Sequence, residues 1–105
     1  MAFKGKDRRR HERVNRALAL QFRIKKSKQK GINTDNWHLS LTIDMSASGV
    51  AFESPFALMI GDVLELHVVV SGVVEVVKAE GKVVRIEEVQ PGKLYLVAVE
   101  LKKHL

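Results

Sequence analysis

The feature that most constrains this chain is a hydrophobic period of two that begins near residue 17 and returns in segment after segment. Leu18, Leu20, Phe22 and Ile24 alternate with Ala19, Gln21, Arg23 and Lys25, the pattern of one half-buried strand. Trp37, Leu39, Leu41 and Ile43 alternate with His38, Ser40, Thr42 and Asp44, which is the cleanest strand in the sequence. This phase sets Trp37 in core or rim packing and puts His38, like His67 further on, on the outward side.

Between these segments stand turn residues. Ser27 to Asn36 is polar, with Gly31, Asn33 and Asp35, and Asp44-Met45-Ser46-Ala47-Ser48-Gly49 breaks the alternation. Val50, Ala51 and Phe52 resume extended structure before Pro55. The β-branched run Val63 to Val70 leads through Ser71-Gly72, a tight-turn signal, into a long strand from Val73 to about Ile86. Ala79 and Gly81 mark a bend within it. Gln90-Pro91-Gly92 then turns the chain into Leu94 to Leu101, where Tyr95, Val97, Val99 and Leu101 share a face. Residues 54–60 read as an irregular crossover or one short helical turn.

Six strands at short spacing, with no long helix, predict an all-β fold. Closure into a six-stranded antiparallel β-barrel would remove the edges that valine-rich strands otherwise expose. The sequence thus divides into a flexible basic N-terminal arm, residues 1–16, and a barrel domain, residues 17–105.

Charge supports that division. Residues 1–30 hold twelve bases against Asp7 and Glu12, whereas the remaining 75 carry six bases and ten acids. A strongly basic end on a mildly acidic body calls for an anionic partner such as a nucleotide, a nucleic acid or acidic lipid. No run reaches the ~18 apolar residues of a membrane span, and the first residues lack a signal-peptide core. With no cysteine there is no disulfide framework and no thiolate site, and the four histidines lack ligand spacing. A cytoplasmic protein without metal is expected. No arrangement of Asp44, Ser46 and the histidines makes a nucleophilic triad, so no enzyme is expected either.

Two segments carry recognition chemistry. Arg8-Arg9-Arg10-His11-Glu12-Arg13 contains Arg-x-x-x-Arg at 9 and 13, and Asp44-x-Ser46-x-x-Gly49 follows the best strand. Guanidinium groups fork hydrogen bonds to phosphate or to guanine O6 and N7, and stack on purine faces. A carboxylate and a hydroxyl offer acceptors to the N1–H and amino group of guanine. Gly49 allows either a positive φ or close approach of a ligand to the backbone. Arg10, Arg16 and Lys25, Lys26, Lys28 and Lys30 read as solvated charge or as a secondary electrostatic lure for an anionic ligand.

The order of the two motifs, their separation of about thirty residues, the intervening strand and Val50-Ala51-Phe52 together resemble the PilZ domain family. The resemblance covers nearly the whole chain and implies a six-stranded barrel and a bacterial receptor for cyclic di-GMP. It would assign Arg9 and Arg13 to the phosphates and guanine faces, Asp44 and Ser46 to a guanine edge, and Gly49 to the shape of the loop. Arg8 is a further candidate, since in this family a basic residue there accompanies an intercalated pair of ligand molecules. No cofactor beyond this ligand is implied. Binding would order the arm and signal to an effector protein whose identity the sequence does not give; nor does it give the oligomeric state.

Two departures from the family pattern stand out. Leu101 to Leu105 is too short for the C-terminal helix many members carry, and Val97-Ala98-Val99 replaces a glycine-containing motif. Two other readings stay open. A small basic barrel can bind single-stranded nucleic acid, which is disfavoured because the aromatics number only six and mostly fall on presumed core faces. A member of the family can also serve as a ligand-free adaptor, although such members typically lack motif residues that are intact here.

Overall fold

The computed structural model describes residues 17–70 and 75–104. Six strands run β1 (Ala19–Lys26), β2 (His38–Met45), β3 (Gly49–Ser54), β4 (Val63–Val70), β5 (Glu75–Gln90) and β6 (Leu94–His104). Every pairing is antiparallel, and the order β1-β2-β3-β6-β5-β4 closes on itself into a barrel. The last strand is longer than expected. It continues to His104, and the pairing of Lys103 with Glu80 and of His104 with Ala79 of β5 gives this tail the backbone partners that a five-residue helix would lack.

The inner face is built mainly from the alternating residues of β1, β3, β4, β5 and β6. Phe22, Phe52, Leu64, Leu66, Val83 and Val97 are wholly buried, and the Phe22 and Phe52 rings lie 4.8 Å apart at a tilt. Tyr95 and Leu101 pack on this cluster with Val97 and Val99, as their shared phase predicts. The segment between β3 and β4 is an irregular crossover. Its end is fixed by buried Asp62, whose carboxylate accepts the Met59 N–H at 2.9 Å while its own N–H donates to the Met59 carbonyl.

The strand with the clearest alternation has the opposite facing from the one its sequence suggests. Leu39 is 76% exposed and Leu41 57%, whereas Thr42 is buried. The register explains the inversion. Leu20 and Phe22 of β1 point inward, and directly opposite them stand Ser40 and His38, which must therefore share the inner side. The two hydroxyls there are hydrogen-bonded. Thr42 Oγ1 accepts the Leu18 N–H at 2.9 Å, and Ser40 Oγ donates to the Glu53 carbonyl at 2.6 Å. The His38 ring lies 5.2 Å from Phe22 and 4.8 Å from Phe56. His38 thus faces inward, while His67 is outward as predicted, with its ring 4.4 Å from Trp37. Trp37 is half-buried on this outer side against His67, rather than in the core, and the Arg23 guanidinium sits 5.0 Å above its ring.

Gly81 is required by close approach of two strands. A Cβ there would come within 2.5 Å of the Val99 side chain and 2.8 Å of the Glu100 carbonyl. The register of β5 against β6 shifts at this point, in agreement with the bend predicted there.

Candidate ligand-binding face over β2, β3, β6 and β5

Asp44 stands opposite Ala51, Ala51 opposite Ala98, and Ala98 opposite Arg85. These four residues form one lateral row across four strands on the outer surface. Adjacent strands lie about 4.8 Å apart, so the row spans about 14 Å from the Asp44 backbone to that of Arg85. The middle of the row is two methyl groups. A carboxylate stands at one end of this low floor and a guanidinium at the other.

Two β-bulges make this row possible. In β2 the register skips from Thr42↔Phe52 to Asp44↔Ala51, and in β5 from Val83↔Val99 to Arg85↔Ala98. Thr42 and Val83 are buried, so strict alternation would turn Asp44 and Arg85 inward as well. The extra residues, Ile43 and Val84, are both exposed and re-aim the side chains after them, a known use of bulges beside functional surfaces.

Beside Asp44 the chain makes its tight turn into β3. The Ser46 N–H donates to the Gly49 carbonyl at 2.9 Å, the Ser48 N–H reaches Ser46 Oγ at 3.3 Å, and the two hydroxyls lie 3.3 Å apart. Gly49 does not take the positive φ that was one of its two expected uses, since that conformation occurs at Gly31, Gly61 and Gly92. Its small size is needed for packing: a Cβ would sit 3.0 Å from the Val99 carbonyl oxygen. Asp44, Ser46, Ser48, Gly49, Ala51, Ala98 and Arg85 together line a depression of about 200 Å³.

Of the residues singled out in the sequence, Asp44, Ser46 and Gly49 therefore lie together. Arg8, Arg9 and Arg13 lie outside the described residues, as does the Ser71-Gly72 turn. Arg85 was not foreseen, because it belongs to no motif. Its signal was local: Val83-Val84-Arg85-Ile86 places two apolar residues in succession and so breaks the alternation of a long strand. Chemically, the depression offers carboxylate and hydroxyl acceptors at one end, a flat apolar floor, and a forked cation at the other. Such a set suits a planar heterocycle attached to an anionic group.

Comparison with known proteins agrees with this architecture. No curated protein matches the chain in sequence. Among solved structures, the barrel is similar to the Bacillus subtilis Inhibitor of motility (MotI/DgrA), with a TM-score of 0.72 and 17% identity. That likeness covers 94% of this chain and 44% of the other, so the chain spans less than half the length of that protein. It is also similar to the PilZ domain, with c-di-GMP, of YcgR from Escherichia coli, at a TM-score of 0.58 and 14% identity, over 90% of this chain and 78% of that one. At such identities the likeness is one of fold. The family model for the PilZ domain matches residues 7–105, and with nearly the whole length matched and the closed six-stranded barrel in accord, the chain belongs to the PilZ domain family.

Proposed function

We propose that this protein is a bacterial cytoplasmic receptor for cyclic di-GMP, held between the outer face of β2, β3, β6 and β5 and the arginines of residues 1–16. The observation that carries the reading is the row Asp44–Ala51–Ala98–Arg85 beside the Ser46–Gly49 turn, in a chain of the PilZ family. Asp44 and Ser46 accept from a guanine edge, and the alanine floor lies under the base. Arg9 and Arg13 take the phosphates and stack on guanine, while Arg8 favours an intercalated pair of ligand molecules. Arg85 adds a second guanidinium from the barrel side, for phosphate or for guanine O6 and N7. The ligand neutralises several cations and orders residues 1–16 across the barrel, and an effector protein reads the new surface. The protein acts by binding rather than by catalysis.

Calorimetric titration with cyclic di-GMP tests this, with GTP and a cyclic mononucleotide as controls. Saturable heat confined to cyclic di-GMP is expected, and two ligands per chain would identify the intercalated pair. Absence of heat and of any ligand-induced thermal shift would overturn the receptor reading.

A further inference from the structure

The inverted facing of β2 leaves the barrel with an apolar outer surface that its ligand chemistry does not use. Leu39 and Leu41 form a ridge on β2. Ala19 and Gln21 of β1, directly opposite Leu41 and Leu39, form a low floor beside it. Val69 and Val76, paired across β4 and β5, make the far wall with His67. The groove so enclosed has a volume of about 580 Å³. It opens on the β2-β1-β4-β5 side of the barrel, whereas the depression lined by Asp44 and Arg85 lies over β2-β3-β6-β5.

We infer that this groove is the self-association surface of the protein, filled by the Leu39–Leu41 ridge of a second copy. Three observations select that occupant. The ridge and the groove floor are registered neighbours on one face, so a two-fold axis in the plane of the interface, running parallel to the strands between β1 and β2, seats each ridge in the other copy's groove. Such an interface is isologous, the commonest kind among soluble oligomers. Second, the area suits a dimer. Leu39, Leu41, Val69 and Val76 are 76%, 57%, 45% and 47% exposed, which presents on the order of 400 Å² of apolar surface, within the range of the largest patch on a monomer. A standard interface buries about 800 Å² per partner, and its centre is the more apolar part. Third, the groove lining carries no acid, lysine or arginine; these flank it, in the Arg23–Glu65 pair and at Lys78 opposite His67. Charge depletion at the centre with a polar rim is the usual anatomy of an interface. Residues 1–16, with seven bases and few apolar side chains, are a poor match for so dry a surface.

This inference does not rest on the ligand reading. Sedimentation equilibrium of the full chain from low to high micromolar concentration tests it, alongside Leu39→Glu, Leu41→Glu, the milder Leu41→Ser, and Val89→Glu as a control at an exposed valine outside the groove. The wild type and V89E should sediment as dimers. L39E and L41E should raise the dimer dissociation constant by roughly a hundredfold, in the manner of a central contact, with an unchanged circular dichroism spectrum. L41E should also keep the wild-type calorimetric response to cyclic di-GMP. A wild type that is monomeric at every concentration would overturn the proposal, as would L41E and L41S chains that dimerise as the wild type does.

Discussion

Two outer faces of the same barrel are built on one plan and finish with opposite chemistry. Each has a floor of small side chains between taller walls: Ala51 and Ala98 between Asp44 and Arg85 on one side, Ala19 between the leucine ridge and the paired valines on the other. The backbone supplies the same shallow trough twice. Only the wall residues decide that one suits a polar, anionic ligand and the other an apolar surface. The two also differ in how their walls come to face outward. The polar trough needs two bulges to bring Asp44 and Arg85 outward, while the apolar one follows directly from the regular alternation of β2 ahead of its bulge.

The comparison breaks most visibly at the walls of the polar face. Asp44→Ala and Arg13→Ala should each weaken cyclic di-GMP binding by about a hundredfold or more, since charge-assisted contacts to a largely desolvated ligand are removed. Their melting temperatures should stay at the wild-type value, which calorimetry and thermal denaturation together check. Equal affinity in either variant would refute its role.

The floors can be exchanged against each other. Ala51→Leu should raise the polar trough and cost roughly thirtyfold in ligand affinity while leaving sedimentation unchanged. Ala19→Leu should do the reverse, impairing the dimer and sparing the ligand. If either substitution moved both readouts, the two faces would not be separate surfaces.

Arg85 offers a finer test. Arg85→Ala should lose roughly tenfold in affinity, and Arg85→Lys should recover only part of it, because a lysine cannot reproduce the planar fork. A titration indistinguishable from wild type would remove Arg85 from the site.

The inversion of β2 itself can be read from stability. Thr42→Val keeps the shape but leaves the Leu18 N–H without its acceptor, and should destabilise by about 1–3 kcal/mol in denaturant titration. Leu41→Ser, although it removes a large apolar side chain, should change monomer stability by less than about 0.5 kcal/mol, as exposed substitutions do. The opposite ranking would mean that β2 faces as its hydrophobic pattern first suggests.

The smallest effect concerns pH. The hydrogen bond from Lys25, helped by the charges of Lys103 and Lys26 and opposed by partial burial, holds the Glu80 carboxyl below the usual carboxylate range. The ionised form therefore stabilises the fold above the unfolded-state value of about 4.3, and this contribution is lost as pH falls through the lower folded value. The difference in melting temperature between wild type and Glu80→Gln should be present at neutral pH and shrink on acidification below that range.

Much of this was legible in the residues. The alternation of Leu18 to Ile24 and of Tyr95 to Leu101 marked strands whose inner faces are as expected, and the turn residues separated them well enough to count six. The Asp44–Gly49 segment was recognisable because its polar and small residues interrupt a clean period. Arg85 was not, because a single cation in a long amphipathic strand looks like any solvated charge until its neighbours across the sheet are known.

What the sequence determined by itself is the period of two, the number of strands, and the residue types available for recognition. These come from local chemistry: which side chains favour extended backbone, and where the chain must turn. Which face of each strand points inward was decided by pairing. In β2 the hydrophobic pattern favours the other facing, and the register with β1 overrides it, since Leu20 and Phe22 bring Ser40 and His38 inside with them. The same holds for the site. Asp44 and Arg85 are far apart in the chain and meet in one row only because two bulges, each a one-residue mismatch between neighbouring strands, turn both outward. A mismatch of that kind exists only between strands, so no single segment can encode it.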